Sequence, residues 1–214
     1  MSTSSDLKSI VEQGYNAIAS KYDAWASPRP TLKRMSYIEK LAKSLPEGGK
    51  VLELGCGAGR PATQMLVGLG FDVLGVDISF AQISLAKQYV PSAQFMQSDM
   101  MALNFKPGSF DAVMGFYSLF HLPRDEQGPM VKKMIGWLRP GGWLLFNLHV
   151  GEGDVMRDDW MGAKMFSTGL GIEGNDKMLE EYGAELTDVE SVVDTEYVGR
   201  FEEKFHWVCA RKIF

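Results

Sequence analysis

The sequence is poor in cysteine and has no excess of positive charge. Cys56 and Cys209 are its only two cysteines, and no CxxC pair occurs, which argues against a disulfide framework and against a thiolate zinc site. We therefore expect two small buried side chains and no bound metal. The formal net charge is -5, whereas proteins that bind nucleic acid use lysine and arginine to neutralise phosphates. We expect no nucleic-acid partner.

Long apolar runs are also absent. No stretch reaches the roughly 18 apolar residues that a membrane-spanning helix needs, and the start, MSTSSD, lacks the basic and apolar parts of a secretory signal. These absences predict a soluble, cytoplasmic protein with no membrane partner, and they leave its oligomeric state open. With 214 residues, of which 45% are hydrophobic, the chain can form one core and is too short for two ordinary domains.

What the sequence does contain is an alternation of short apolar runs and helical patterns. Each run is bounded by Gly, Asp or Pro, as buried strands are. The segments between the runs repeat apolar residues at intervals of three and four, as Met130, Met134, Ile135 and Leu138 do. The predicted strands are residues 50–55, 71–77, 93–99, 109–116 and 141–149, and the predicted helices are residues 60–70, 79–90 and 124–140.

Such alternation indicates a parallel sheet with helices on both faces. Towards the C-terminus, residues 184–194 and 203–212 form two further apolar runs with no crossover helix between them, which predicts an antiparallel pair at the sheet edge. We therefore expect an α/β fold: a doubly wound, mostly parallel, seven-stranded, Rossmann-like sheet with an antiparallel C-terminal strand pair.

One glycine-rich stretch, VLELGCGAGRP at residues 51–61, starts on the first strand and ends on a helix whose first turn would hold Pro61. Ligands of open α/β sheets bind at this carboxyl edge, where glycines allow close backbone approach. The dinucleotide pattern G-x-G-x-x-G would need glycine where the sequence has Arg60, and no G-K-[ST] follows. NAD and ATP are therefore both disfavoured.

Three acids lie at or near the ends of the first three strands and indicate the ligand. Glu53, just before the glycines, would repel a pyrophosphate but can hold an ammonium group. Asp77, twenty residues after Gly57, can accept from both hydroxyls of a ribose. Asp99 can accept from an exocyclic amine while the Met100 amide donates to a ring nitrogen, as adenine requires. Amino acid, ribose and adenine together describe S-adenosylmethionine.

With these residues in place, the chain resembles the class I S-adenosylmethionine-dependent methyltransferases. The stretches ELGCGAG, GVDIS, SDM, FDAVMGFYSLFHLP and LRPGGWLL occur in that family's order and at its usual separations. The resemblance implies S-adenosylmethionine as cofactor, a small-molecule acceptor, and an N-terminal helix in which Tyr22, with Tyr15 as second candidate, closes over the methionine part. The cofactor-binding residues that it implies are Tyr22, Glu53, Gly55, Cys56, Gly57, Asp77, Ile78, Asp99, Met100 and Phe116.

Several of these residues also have a purely structural interpretation. Asp77 and Asp99 can cap the helices that follow them. Tyr15 and Tyr22 lie in an apolar stripe at helical spacing, and Phe116 can fill the core. The sequence leaves both interpretations open.

A base near the methyl group would help an acceptor that must lose a proton. His121, just beyond the fourth strand in LFHLP, is the candidate catalytic residue, with His149 at the end of the fifth strand as second choice. His121 can instead cap the next helix or order the turn before Pro123. We expect His206, inside the last strand, to be structural.

We expect a single domain over residues 1–214, made of an N-terminal helical lid (1–45), a cofactor-binding core (46–149), a substrate cap (150–176) and a C-terminal helix and strand pair (177–214). The cap is rich in glycine and apolar side chains, which suits a mobile cover over a small molecule. The sequence predicts methyl transfer by in-line displacement and does not indicate whether O, N, S or C accepts the methyl group. The alternative is an S-adenosylmethionine-binding regulator or an isomerase that transfers no methyl group.

Overall fold

A seven-stranded, mostly parallel sheet forms the centre of the molecule. The computed structural model describes residues 3–27, 31–198 and 201–214. Residues 1, 2 and 28–30 of the predicted lid and residues 199 and 200 of the predicted C-terminal part therefore lie outside it. The strands are β1 (Lys50–Leu54), β2 (Asp72–Asp77), β3 (Gln94–Gln97), β4 (Phe110–Gly115), β5 (Leu138–His149), β6 (Glu152–Trp160), β7 (Ala163–Leu170), β8 (Leu186–Val198) and β9 (Phe201–Lys212). The helices are α1 (Ser4–Ala26), α2 (Leu32–Ser44), α3 (Ala62–Gly68), α4 (Phe80–Tyr89), α5 (Arg124–Trp137) and α6 (Gly171–Tyr182).

The strand order in the main sheet is β3-β2-β1-β4-β5-β9-β8. Strands β1 to β5 pair in parallel, whereas β9 runs antiparallel to β5 and β8 runs antiparallel to β9. The winding direction reverses between β1 and β4, which places a crevice at the carboxyl ends of these strands. The predicted doubly wound sheet with an antiparallel C-terminal pair is confirmed.

Helices cover both faces of the sheet and bury two apolar clusters. Met130 of α5 and Met178 of α6 pack on one face, while Ile38 and Leu41 of α2 pack on the other face with Trp207 of β9. Because both faces are covered, β1 and β4 bury nearly every residue, as strands of parallel sheets do. Within the described ranges, no helix is both long and apolar enough to cross a bilayer.

The segment expected to form a mobile cap, residues 150–176, has regular structure. β6 and β7 pair antiparallel as a separate two-stranded sheet, and α6 begins directly after β7 at Gly171. The many glycines concealed this hairpin in the sequence, since glycine is depleted in strands. The helix after β1 differs little from its prediction. α3 begins at Ala62, so Pro61, which was predicted in the first turn, lies one residue before the helix.

α1 lies on the hairpin as well as on the carboxyl ends of the parallel strands. Val11 and Ile18 of α1 pack with Met165 and Phe166 of β7. A Cβ on Gly14 would meet a carbonyl oxygen of β7 at 2.7 Å, so this glycine allows the helix and the strand to touch. The β6–β7 hairpin therefore forms part of the surface on which α1 packs.

The packing of Trp207 predicts a large loss of stability when its ring is removed. Trp207 is fully buried, with ring centroids of Tyr37 and Phe116 at 5.7 and 5.5 Å. We expect Trp207→Ala to lower the free energy of unfolding by about 3–5 kcal/mol, because it leaves a cavity in the core. Chemical denaturation measures this, and Phe214→Ala, at a ring that is 87% exposed, should change it by less than about 0.5 kcal/mol. Equal losses in the two variants would contradict the packing described here.

Candidate functional site

The glycine-rich loop between β1 and α3 is held against the end of β2. The amides of Gly55 and Cys56 both donate to the Val76 carbonyl, at 2.7 and 3.0 Å, and the Gly57 amide donates to the Asp77 carboxylate at 2.9 Å. A Cβ on Gly55, whose φ is +71°, would lie 2.3 Å from a serine side chain of the segment after β4. Glycine is therefore required here, and the loop presents bare backbone to a ligand.

A crevice lies between this loop, the ends of β2 and β4, and α1. Its volume is about 80 Å³, well below the roughly 300–1,000 Å³ of most small-molecule pockets, because α1 closes over it. The predicted residues Glu53 and Cys56 do not line it. The predicted residues that do line it are Tyr22, Gly55, Gly57, Asp77, Ile78, Asp99, Met100, Phe116 and His121.

Asp77 ends β2 at the crevice. One carboxylate oxygen accepts from the Gly57 amide and the other from the Ser79 amide, each at 2.9 Å. Burial raises the pKa of Asp77 to about 6, although these amide bonds oppose the shift. The cap of α4 is Ser79, so Asp77 does not cap that helix. A carboxylate oxygen can accept more than one hydrogen bond, which leaves Asp77 able to accept from ligand hydroxyls.

Asp99 does cap a short helix. Its Oδ1 accepts from the Met101 amide at 2.9 Å at the start of the 3-10 helix Met100–Ala102. Its Oδ2 lies 2.7 Å from Lys8 Nζ of α1, and sequence reasoning missed this lysine because no motif marks it. Capping and ligand binding remain compatible, since Asp99 and Met100 both line the crevice.

Gln82, on the first turn of α4, is a second residue that sequence reasoning missed. The side chain is 1% exposed and lines the crevice, yet its amide nitrogen and oxygen have no hydrogen-bond partner among the described residues. An unpaired buried amide is costly. This side chain therefore fits a polar ligand such as a nucleoside, and its position five residues after Asp77 was the only available signal.

Glu53, on β1 two residues before Gly55, is buried. Burial raises its pKa to about 7, although a hydrogen bond from the Thr63 hydroxyl and the positive charge of Arg34 oppose the shift. Arg34 Nε is itself buried and has no acceptor in the described part of the chain. A carboxylate near a guanidinium whose Nε has no acceptor among the described residues suits a ligand that carries both ammonium and carboxylate. The Cys56 side chain, by contrast, packs against Gly75 of β2. Only the Cys56 backbone can therefore contact a ligand at the loop.

A second cavity, of about 410 Å³, adjoins the crevice. Residues from α1, α2, the β6–β7 hairpin and the β8–β9 pair line it. Tyr15, Tyr22, Tyr117 and His121 line both cavities and form the wall between them. The aromatic residues that line the second cavity are Tyr15, Tyr22, Trp25, Tyr117, Phe120, Trp160, Tyr197 and Phe205.

Tyr117 is fixed in the shared wall from two sides. Its φ is +56°, a conformation that tyrosine rarely adopts and that tertiary contacts must maintain. The Tyr117 amide donates to Asn147 Oδ1 at 2.6 Å, and its hydroxyl donates to Glu196 at 2.7 Å. The ring is therefore held in place at the boundary of both cavities.

His121 is buried in the shared wall with both ring nitrogens engaged. Nδ1 lies 2.6 Å from the Phe166 carbonyl oxygen, and Nε2 lies 3.0 Å from the Tyr15 hydroxyl. Because a carbonyl can only accept, Nδ1 carries the proton, and Nε2 of the neutral ring accepts from Tyr15. Burial lowers the pKa of His121 to about 4. The imidazole is therefore neutral at physiological pH and aims its lone pair at Tyr15.

The other two histidines differ in position. His149 lines the second cavity, where its Nδ1 accepts from the Gly151 amide at 3.0 Å. His206 is buried in β9, with its Nε2 2.6 Å from the Ser191 hydroxyl, and it lines neither cavity. Among the described residues, no group of three His, Cys, Asp or Glu side chains could hold a metal ion.

Known proteins resemble the chain in sequence. The family model described as "Methyltransferase domain" matches residues 51–142. YqeM of Bacillus subtilis, which is named as a methyltransferase, is 37% identical over 140 residues, or 63% of this chain and 55% of YqeM. Methyltransferase GfsG of Streptomyces halstedii is 30% identical over 189 residues, or 80% of this chain and 67% of GfsG. The chain thus spans about half the length of YqeM.

A solved structure supports the same fold. The crystal structure of Burkholderia thailandensis 1,6-didemethyltoxoflavin-N1-methyltransferase, with bound 1,6-didemethyltoxoflavin and S-adenosylhomocysteine, has a TM-score of 0.72 at 17% identity, covering 100% of this chain and 92% of that chain. Together with the sequence match to GfsG, the motif order and the crevice, this fold identifies the family. The chain belongs to the class I S-adenosylmethionine-dependent methyltransferases.

Proposed function

We propose that the chain transfers a methyl group from S-adenosylmethionine to a small molecule, with the cofactor in the crevice and the acceptor in the second cavity. The observation that carries the proposal is the wall that the two cavities share. Two ligands that lie on opposite sides of that wall come closest to each other at Tyr15, Tyr117 and His121. When bound, S-adenosylmethionine supplies an electrophilic methyl group on a sulfonium, and in-line displacement then needs alignment more than an elaborate catalytic set.

The residues around the crevice fit the parts of this cofactor. Asp77 is proposed to accept from the ribose hydroxyls, and Asp99 with the Met100 amide to hold the adenine. Gln82 supplies a buried amide without a partner among the described residues. Glu53 and Arg34 are proposed to hold the ammonium and carboxylate of the methionine part.

The remaining cofactor contacts are apolar or come from the backbone. Phe116 and Ile78 are proposed to pack beside the adenosine, and Tyr22 to cover the methionine part. Gly55, Cys56 and Gly57 contribute loop backbone. We also propose that α1 serves as the lid and the β6–β7 hairpin as the cap of a single methyltransferase domain.

We propose that His121 acts as the base, through Tyr15. Since Nε2 accepts from the Tyr15 hydroxyl, an acceptor proton can pass to Tyr15 as the Tyr15 proton moves to Nε2. The Phe166 carbonyl fixes the tautomer that leaves Nε2 free to accept. His149 lines the far part of the second cavity and is the alternative base.

The ribose assignment predicts a large effect of Asp77→Ala on cofactor binding. A carboxylate that accepts from ribose hydroxyls contributes about 1.5–3 kcal/mol, so the affinity for S-adenosylhomocysteine should fall at least about tenfold. Calorimetry measures this, with Asp72→Ala at the exposed start of β2 as the matched control. Equal affinities in the two variants would remove Asp77 from the ribose site.

The charge of Glu53 predicts a pH dependence of cofactor binding. With a pKa of about 7, the ionised fraction of Glu53 rises as the pH increases, and the ionised form attracts an ammonium group. The affinity for S-adenosylhomocysteine should therefore rise about fourfold from pH 6.5 to 8. Glu53→Gln should weaken binding and remove this slope, whereas Glu39→Gln, at an exposed site on α2, should preserve it. A slope unchanged in Glu53→Gln would mean that Glu53 is structural.

Methyl transfer itself is tested with labelled S-adenosylmethionine and a metabolite extract. The proposal predicts that S-adenosylhomocysteine and a labelled small molecule appear together. His121→Ala should lower their rate of formation by about a hundredfold and leave S-adenosylhomocysteine affinity within about twofold of the original value. Because the pKa of His121 is about 4, the rate should show no imidazole step between pH 6 and 7.5.

Two results would count against this assignment. Binding of the cofactor without any labelled product, across extracts of different origin, would favour a regulator or an isomerase. Loss of cofactor affinity in His121→Ala would make His121 a structural residue of the pocket wall.

A further inference from the structure

The second cavity is bordered by two groups of aromatic rings. On the side of α1, the Tyr15 and Tyr22 centroids lie 5.3 Å apart, and the Trp160 ring lies 5.7 and 5.6 Å from them. On the side of β9, the Phe120 and Phe205 rings stack at 5.9 Å with an interplanar angle of 23°. Rings held by such contacts are rigid, and their faces favour a flat aromatic guest by offset stacking or edge contacts.

Among the described residues that line the cavity, two charged side chains of opposite sign remain for a guest. Arg157 and Glu203 line it, whereas Arg34 is assigned to the cofactor and Glu196 is already the acceptor for the Tyr117 hydroxyl. Aromatic rings alone would also attract an ammonium group. The Arg157 guanidinium counters that attraction, and the Glu203 carboxylate disfavours an anion, so the described part of this surface favours an uncharged guest.

The Tyr15–His121 pair adds a requirement for the reacting group. A proton acceptor at the end of the cavity assists an acceptor atom that carries a removable proton, and it adds nothing for a carboxylate or a carbon without an acidic hydrogen. Phenols keep their proton at neutral pH, since the phenol of tyrosine has a pKa of about 10. An uncharged aromatic compound with a phenolic hydroxyl therefore matches the rings, the charges and the proton acceptor of this cavity.

Resting on the proposed function, we infer that the acceptor is a flat, uncharged aromatic compound whose hydroxyl oxygen receives the methyl group. As the hydroxyl oxygen forms the new O–CH3 bond, its proton passes to Tyr15 and the Tyr15 proton passes to His121 Nε2. The S–CH3 bond breaks in the same step, with its electron pair retained by sulfur in S-adenosylhomocysteine. A cavity of about 410 Å³ is large enough for two or three fused rings.

The test compares binding of small probes to the protein saturated with S-adenosylhomocysteine. The probe is 2-naphthol, and the comparators each change one main property: decahydro-2-naphthol is not flat, 2-methylnaphthalene lacks the hydroxyl, 6-hydroxy-2-naphthoate is an anion and 6-(aminomethyl)-2-naphthol is a cation at pH 7. Calorimetry should give 2-naphthol at least tenfold higher affinity than each comparator. Equal or tighter binding of any comparator would overturn the corresponding part of the inference.

One variant tests whether 2-naphthol binds in the second cavity. Phe120 lines the second cavity and not the crevice, so Phe120→Leu should weaken 2-naphthol at least fivefold and leave S-adenosylhomocysteine within twofold. Phe80→Leu, at a ring that is 65% exposed on α4, is the matched control and should change neither affinity. Unchanged 2-naphthol affinity in Phe120→Leu would overturn the aromatic site.

The same measurements separate this inference from the proposed function. A protein that binds no S-adenosylhomocysteine would contradict the proposed function itself. Normal binding of S-adenosylhomocysteine with no preference for 2-naphthol would contradict only the acceptor class.

Discussion

The hydrogen-bonded chain from the Tyr15 hydroxyl through His121 to the Phe166 carbonyl joins the parts of the site. It links α1, the segment after β4 and the β6–β7 hairpin, three elements that the main sheet alone would not hold together. Because the carbonyl fixes the tautomer of His121, the direction of both hydrogen bonds is set. The wall between the crevice and the second cavity therefore has a defined proton acceptor as well as a defined shape.

α1 connects this wall to the cofactor crevice. Lys8 of α1 pairs with Asp99 at 2.7 Å, and Asn16 accepts from the Ser79 hydroxyl at 2.8 Å. These polar contacts lie beside the carboxylates proposed to bind the cofactor, and the crevice beneath α1 is only about 80 Å³. We therefore predict, in keeping with the proposed role of α1 as a lid, that α1 moves outward when a nucleoside ligand enters, and such lid motions commonly accompany binding in enzymes.

Local patterns in the sequence predicted the main sheet and the loop, because glycine spacing and the acids that end strands are properties of neighbouring residues. Gln82, Arg34 and Lys8 escaped prediction because their importance depends on which helices pack over the crevice. The β6–β7 hairpin escaped because its glycines resemble those of a loop. The position of His121 was predicted, whereas its tautomer and lowered pKa come from burial and from contacts with residues distant in sequence.

A crystal structure with bound S-adenosylhomocysteine tests the central claim most directly, since it shows which cavity each part of the ligand occupies. The account predicts the ribose at Asp77, a hydrogen bond from or to the Gln82 side chain, and the sulfur facing the wall formed by Tyr15, Tyr22, Tyr117 and His121. The second cavity would then open at the sulfur. A ligand whose sulfur faces away from that wall, or whose ribose lies away from Asp77, would contradict the account.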